Sequence, residues 1–256
     1  MNERGKEDTV KTPAAAPATD PDPAEPLGRA RLWLGVLLTT VAGYVDAVGY
    51  LALGGLFASF MSGASILLGV SAGGGRWWAV AEGAALIAVF LAGAVSATVA
   101  AVLTGAWALP VVLALEAGLL AGSAFLTHAG HADAVAILPI VAAMGVQNTA
   151  LRPVDGVRLG VTYMTGTLVS LGQGIGRMLT GRGSAWAWSP HALLWVGFCA
   201  GAAAGGIVYV PFGFLAVAGP AAVVAAATVA VAIKVSVSRR VARGAGGAQD
   251  SGGRKA

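Results

Sequence analysis

Long apolar runs alternate with short polar or glycine-rich breaks along the chain. Six runs have the length of a membrane span: about 31–53, 79–104, 108–127, 134–151, 190–210 and 212–233. Each is continuous in hydrophobicity and close to the ~20 residues a helix needs to cross the hydrocarbon. Barrel strands would be shorter and would alternate apolar with polar positions. Two further segments, about 55–74 and 160–179, are apolar but short and rich in glycine. Arg76, Trp77 and Trp78 mark a lipid–water interface, the level that Trp favours. The pattern predicts an all-α, polytopic transmembrane helical bundle of six long helices and two short Gly-rich ones.

The two short segments resemble one another. Phe60-Met61-Ser62-Gly63 in the first is matched by Tyr163-Met164-Thr165-Gly166 in the second, and the pair Gly69/Gly73 is matched at the same offset by Gly172/Gly176. Upstream, Gly43 and Asp46 face Gly145 and Asn148 at an offset one residue shorter. So many special residues in one order imply an internal duplication, with halves of about 30–128 and 133–236. Glycine at these places lets helices approach closely in lipid or lets a helix break. Ser62 and Thr165 would satisfy backbone carbonyls freed by such a break. The expectation is that the two motifs meet through their glycine faces near the pseudo-symmetry axis.

Composition agrees with a membrane protein. Hydrophobic residues make up 57% and charged residues 11%, where a soluble domain has about a quarter charged. The net charge of +4 comes from basic residues at the ends of apolar runs, which is a topology signal and argues against a nucleic-acid surface. Residues 1–28 are polar and rich in Pro, Ala, Asp and Glu, and residues 237–256 are basic. Both are expected to be disordered cytoplasmic tails flanking a transmembrane domain of 29–236. Arg29 and Arg31 at one end, and Lys234 to Arg243 at the other, place both termini in the cytoplasm, so the number of crossings is even. Eight crossings, with both short segments spanning, keep Arg76, Arg177 and Arg182 cytoplasmic. Six put Arg76 outside. Eight is the expectation taken here.

Gly43-x-x-Asp46, the Gly54-Gly55-x-Phe57 turn, Met61-Ser62-Gly63, Gln147-Asn148 and Met164-Thr165-Gly166-Thr167 together resemble the YoaK-like family of bacterial membrane proteins, over about residues 30–235. The resemblance implies a multi-pass protein of the bacterial inner membrane. The first motif departs from the family's usual Thr-Gly-Asn, reading Ser62-Gly63-Ala64. A polar role at position 64 is therefore absent here.

Candidate chemistry is confined to a few polar residues. Asp46 and Glu116 lie inside apolar runs, where a charge costs on the order of 3 kcal/mol. Such groups point to a proton- or cation-coupled site, or to a carboxyl that bonds between helices. Gln147 and Asn148 offer amides that either coordinate a polar solute or bond across helices. Ser62, Gly63, Thr165 and Gly166 join these as candidates for a substrate or ion pathway. Glu82, a turn past Trp78, is read as reaching out to water. His128-x-x-His131-x-Asp133 has ligand-type residues but no remote partner, so no metal and no cofactor is assigned. No Gly-x-Ser-x-Gly elbow, phosphate loop or dinucleotide fingerprint occurs, and no enzyme activity is expected. The function these features favour is secondary transport of a small solute or ion across the bilayer. The alternative is a non-transporting membrane sensor or assembly protein. Oligomeric state is not legible.

Overall fold

A computed structural model describes residues 29–55, 57–150 and 163–252 of the chain, with side chains up to Arg240. Eight α-helices follow one another: α1 Arg29–Ala52, α2 Met61–Gly73, α3 Trp77–Thr104, α4 Ala108–His128, α5 Asp133–Ala150, α6 Met164–Leu179, α7 Ser189–Phe212 and α8 Ala218–Gly252. Among the described residues, four continuous helical stretches are long and apolar enough to cross a membrane. Two of these, 52 residues each, are the α3–α4 and α7–α8 pairs. Short 3₁₀ turns, Gly105–Trp107 and Gly213–Val217, divide them. Each turn starts on a glycine in left-handed backbone, φ 54° at Gly105 and 58° at Gly213, which a side chain would oppose. The bundle thus has six long helices, with α2 (13 residues) and α6 (16 residues) too short to span alone.

Side chains such as Leu103, Val210, Ile207 and Val102 point outward, as a lipid-facing surface requires. Trp77, Trp78 and Trp186 are also exposed, and Trp186 stacks on Trp188. Inside, Leu38, Val45, Leu113, Leu120, Ile140 and Met144 form a continuous buried core shared by α1, α4 and α5. α8 does not stop near residue 236 but runs to Gly252, since nothing from Lys234 to Arg243 breaks a helix. The turn-and-loop region 151–162, including Arg152, Asp155 and Arg158, lies outside the described residues.

Backbone meets backbone at two crossings. On α1 and α7, a Cβ built on Gly43 would run into the Phe198 carbonyl oxygen, and one on Gly201 into that of Thr40. On α3 and α5, a Cβ on Gly145 would run into the Phe90 carbonyl and one on Gly93 into that of Ala142. Lipid offers no hydrophobic drive between helices, so such close packing is what holds them. The same residues recur: Phe90-Leu91-Ala92-Gly93-Ala94 and Phe198-Cys199-Ala200-Gly201-Ala202. Gly69, Gly73, Gly172 and Gly176, in contrast, have open space beside them. α2 packs on α3, α6 packs on α7, and the two short helices do not pack on each other. The expected meeting of the motif glycines is therefore replaced by crossings of the long helices.

The helix directions follow from these contacts. Gly197, Gly201 and Gly205 of α7 face Val36, Thr40 and Tyr44 of α1 in rising order, so α1 and α7 are parallel. α3 and α5 are each antiparallel to α4, joined by short turns and, between α4 and α5, by Ser123 Oγ donating to Ala136 O at 2.7 Å. α3 is therefore parallel to α5. Gly83 of α3 sits beside Ala64 and Leu68 of α2, its antiparallel neighbour across a tight turn. From there, α3 advances ten residues, about 15 Å, to Gly93 and Ala142. α5 then advances five residues, about 8 Å, to Gln147, which bonds Leu38 O of α1.

At the start of α2, Ser59 bonds Asp46 and Phe60 touches Phe198, so α2 begins level with the second half of α1. The path from that start to Leu38 closes if α3 points toward the beginning of α1. It then covers about 14 Å net, against the roughly 8–12 Å between Leu38 and the Gly43–Asp46 level on α1 itself. The opposite sense leaves a gap of about 20 Å. α2 therefore runs parallel to α1. After Ala52 the chain folds back about 9 Å to Asp46 and climbs out again, so Arg76 lies beyond the C-terminal end of α1. The eight-crossing expectation is corrected here: the first motif segment enters and returns on one side, because Asp46 anchors the fold-back.

Candidate polar site in the bundle interior

The two buried carboxyls have opposite surroundings. Asp46 sits on α1 with its carboxyl buried. It accepts the Ser59 backbone N–H at Oδ1 (2.8 Å) and the Ser59 hydroxyl at Oδ2 (2.5 Å). Ser59 is itself buried, in the stretch before α2. Non-helical backbone at membrane depth is tolerated only when its polar groups are satisfied inside the protein, and Asp46 supplies that partner. Ring contacts from Tyr50 to Phe57, Phe57 to Phe60 and Phe60 to Phe198 cover the fold-back. Asp46 thus holds the shape of the re-entrant segment.

Glu116 has no such partner. Its side chain, on α4, is fully buried, and neither carboxyl oxygen accepts a hydrogen bond. Gln147, on α5, donates its amide N–H to Leu38 O at 2.7 Å and leaves Oε1 buried and unpaired. Thr39, on α1, leaves its hydroxyl oxygen unpaired. Its neighbour Thr40 bonds the Val36 carbonyl one turn back, the usual outlet for a helical hydroxyl. Buried polar groups are rarely left without partners; these three lie on α4, α5 and α1, and α5 packs on both of the other two helices.

These three groups share one level. Gln147 is bonded to the residue next to Thr39. The Ser123–Ala136 bond fixes the α4–α5 register, putting Glu116 level with Ala143, about 6 Å or slightly more than one helical turn along the axis from Gln147. Leu38, Leu113, Val112 and Met144, from the same three helices, are also fully buried. The sequence candidates therefore divide. Glu116 and Gln147 lie inside on packed helices, and Thr39, unremarkable in the sequence, stands next to the residue that Gln147 bonds. Asp46 stands apart in the fold-back with Ser59. Ser59 did carry a signal, since Thr162 precedes the second motif at the matching place.

The motif residues lie elsewhere. Ser62, Gly63 and Thr165 are exposed on the outer faces of α2 and α6, while Met164, Ala64 and Thr167 point inward. Gly166 is half-buried against the Tyr163 ring. Asn148 is half-buried and donates to Met144 O at 2.7 Å. Glu82 is exposed on α3. His131 lies in its own loop against Leu126 O, and the described residues hold no group of three metal-ligating side chains.

A helical bundle with apolar outer faces, crossings made on glycine and polar groups enclosed at one level defines a multi-pass membrane protein. The chain belongs to the family described as "Protein of unknown function (DUF1275)", whose model matches residues 34–230. It is similar to the UPF0700 transmembrane protein YoaK of Bacillus subtilis (strain 168), 36% identical over 141 residues, covering 53% of this chain and 63% of that protein. It is also similar to the UPF0700 transmembrane protein RA0705 of Rhizobium meliloti (strain 1021), 33% identical over 78 residues, covering 30% of this chain and 34% of that one. The matched stretches thus span less than two thirds of either relative. No solved structure matches the chain.

Proposed function

We propose that this protein is a secondary transporter of a small solute in the bacterial inner membrane, a carrier with no enzymatic step. Glu116 carries the reading: a fully buried carboxyl without a hydrogen bond, level with the unpaired oxygens of Gln147 and Thr39. Ionisable groups at membrane depth that lack a structural partner mark substrate or ion pathways.

The arrangement of the helices supports it. In the duplicated reading, the first helix of each half crosses the third helix of the other on equivalent glycines, α1 on α7 and α5 on α3. With α2 re-entrant and six crossings, the halves become inverted repeats, a design in which sites form near the midplane at the repeat interface. Arg29 and Arg31 at one end, and Lys234, Arg239 and Arg240 at the other, support a cytoplasmic placement of both termini.

The test compares metabolite profiles of cells overproducing the wild type, Glu116→Gln or an empty vector. At least one solute should shift its distribution between cell and medium with the wild type and return to the vector level with Glu116→Gln at equal expression. Identical profiles for wild type and vector would sink the transport reading.

A further inference from the structure

We infer that the Glu116 layer is a binding site for one monovalent hard cation of the sodium type, held by oxygens of Glu116, Gln147 and Thr39; this rests on the transport reading and names its coupling ion. Four atoms are buried and unpaired there: both carboxyl oxygens of Glu116, Gln147 Oε1 and Thr39 Oγ1. All four are oxygens. The one nitrogen in the set, Gln147 Nε2, is already committed to the Leu38 carbonyl at 2.7 Å. Turning the amide over would set its oxygen against a carbonyl oxygen, so that bond leaves Oε1 as the unpaired atom. Thr39 keeps its own hydroxyl proton, whereas the ionised Glu116 oxygens and Gln147 Oε1 can only accept, and oxygen donors of both kinds suit hard cations.

Charge fixes the valence. α4 itself carries only Glu116 and, at its far end, His128. The helices packed on it bring Glu82 near the start of α3, Asp133 at the start of α5, and Lys234, Arg239 and Arg240 toward the end of α8. α1, which shares the layer, adds Arg29 and Arg31 at its start and Asp46, which is occupied by Ser59. None of the described Lys or Arg residues is buried with Glu116. A single positive charge leaves the carboxylate pair neutral, whereas a divalent ion would leave a net charge in a low-dielectric interior. The described residues hold no cluster of His, Cys, Asp and Glu of the kind a divalent or transition metal takes. A proton on Glu116 would supply one donor and satisfy one acceptor. A cation in the layer satisfies all four oxygens at once.

The experiment uses the purified full-length protein in nanodiscs, in N-methyl-D-glucamine chloride at constant ionic strength. The Tm is followed through the 7 tryptophans as NaCl replaces the organic salt. Binding to the native state alone raises Tm in a saturable way. The expected result is such a rise with Na⁺, together with binding of ²²Na⁺ that cold Na⁺ displaces. Glu116→Gln should lose the rise and bind at least about tenfold more weakly, a difference of about 1.4 kcal/mol. Glu116→Gln should keep at least the wild-type Tm in sodium-free buffer, since no hydrogen bond is lost, so a missing response is not a folding defect. A Tm indifferent to Na⁺, Li⁺ and K⁺ but moving with pH overturns the assignment in favour of a proton alone. If metabolite profiles depend on Glu116 while Na⁺ has no effect, the transport reading stands and the cation assignment falls. If Na⁺ binds and no solute moves, the site stands and the transport reading falls.

Discussion

The fold-back at Asp46 and the layer at Glu116 are both carboxyls enclosed by apolar helices, and they differ only in what faces them. Asp46 accepts two hydrogen bonds from one residue, and those bonds fix where α2 begins. Glu116 accepts none. Burial alone therefore does not mark a functional acid in this bundle. A satisfied carboxyl is part of the scaffold, because its removal strands the donors it served. An unsatisfied one is a cost to the scaffold, and on the proposed reading it serves ion binding.

The sharpest way to break this contrast is Asp46→Ala. It leaves the Ser59 N–H and hydroxyl unpaired at membrane depth, at a cost of about 3 kcal/mol. That corresponds to a Tm lower by roughly 5–10 °C, read on the solubilised protein. Asp46→Asn keeps one acceptor and should recover a large part of the loss. A Tm unchanged in Asp46→Ala would show that the anchor does not hold the fold-back.

Glu116→Leu should move the other way. Replacing a buried carboxyl that makes no bonds with an apolar side chain of similar size is neutral or stabilising by about 1–3 kcal/mol. The protein should therefore melt at or above the wild-type temperature in sodium-free buffer while losing solute movement. A large drop in Tm would mean that Glu116, too, has a structural partner.

The smallest effect is expected at Thr39. Thr39→Val keeps the shape and removes an unpaired hydroxyl, so stability should change by less than about 1 kcal/mol, toward greater stability. ²²Na⁺ affinity should fall by a few-fold, as one of several ligands is lost. The neighbouring Thr40→Val removes a hydroxyl that is already bonded to Val36, and should leave affinity unchanged.

Most of the architecture was legible in the chain, because the apolar runs are long and the bilayer sets their length. The direction of α2 was not. Its flanking charges balance between two topologies, and the deciding contact, Asp46 with Ser59, joins residues of which only one stood out as special. The glycines that make the crossings were half visible. Gly43 and Gly145 appear in the repeat, but the matching Phe90–Ala94 and Phe198–Ala202 stretches are offset differently from the short motifs, so one alignment cannot show both. The motif glycines drew attention that belonged to the long helices. Glu116 and Gln147 were legible as polar residues in apolar runs, but not as neighbours. Their shared level depends on the α4–α5 register, and nothing in the composition of Thr39's surroundings separates it from Thr40.

The crossing of α1 on α7 also sets a schedule for biogenesis. α1 is the first described helix to leave the ribosome, yet the glycine-lined groove it fits belongs to α7, which begins only at Ser189. At ordinary elongation rates of about 5–20 residues per second, α1 waits on the order of ten seconds in lipid for its counterpart. During that interval its Thr39, Thr40 and Asp46 have only helices α2 to α6 and the bilayer around them. A chain halted after α4 presents unfinished grooves on α1 and α3, a surface for the cell's membrane quality control to recognise. The two halves, made as separate polypeptides, carry complementary grooves and are suited to find each other.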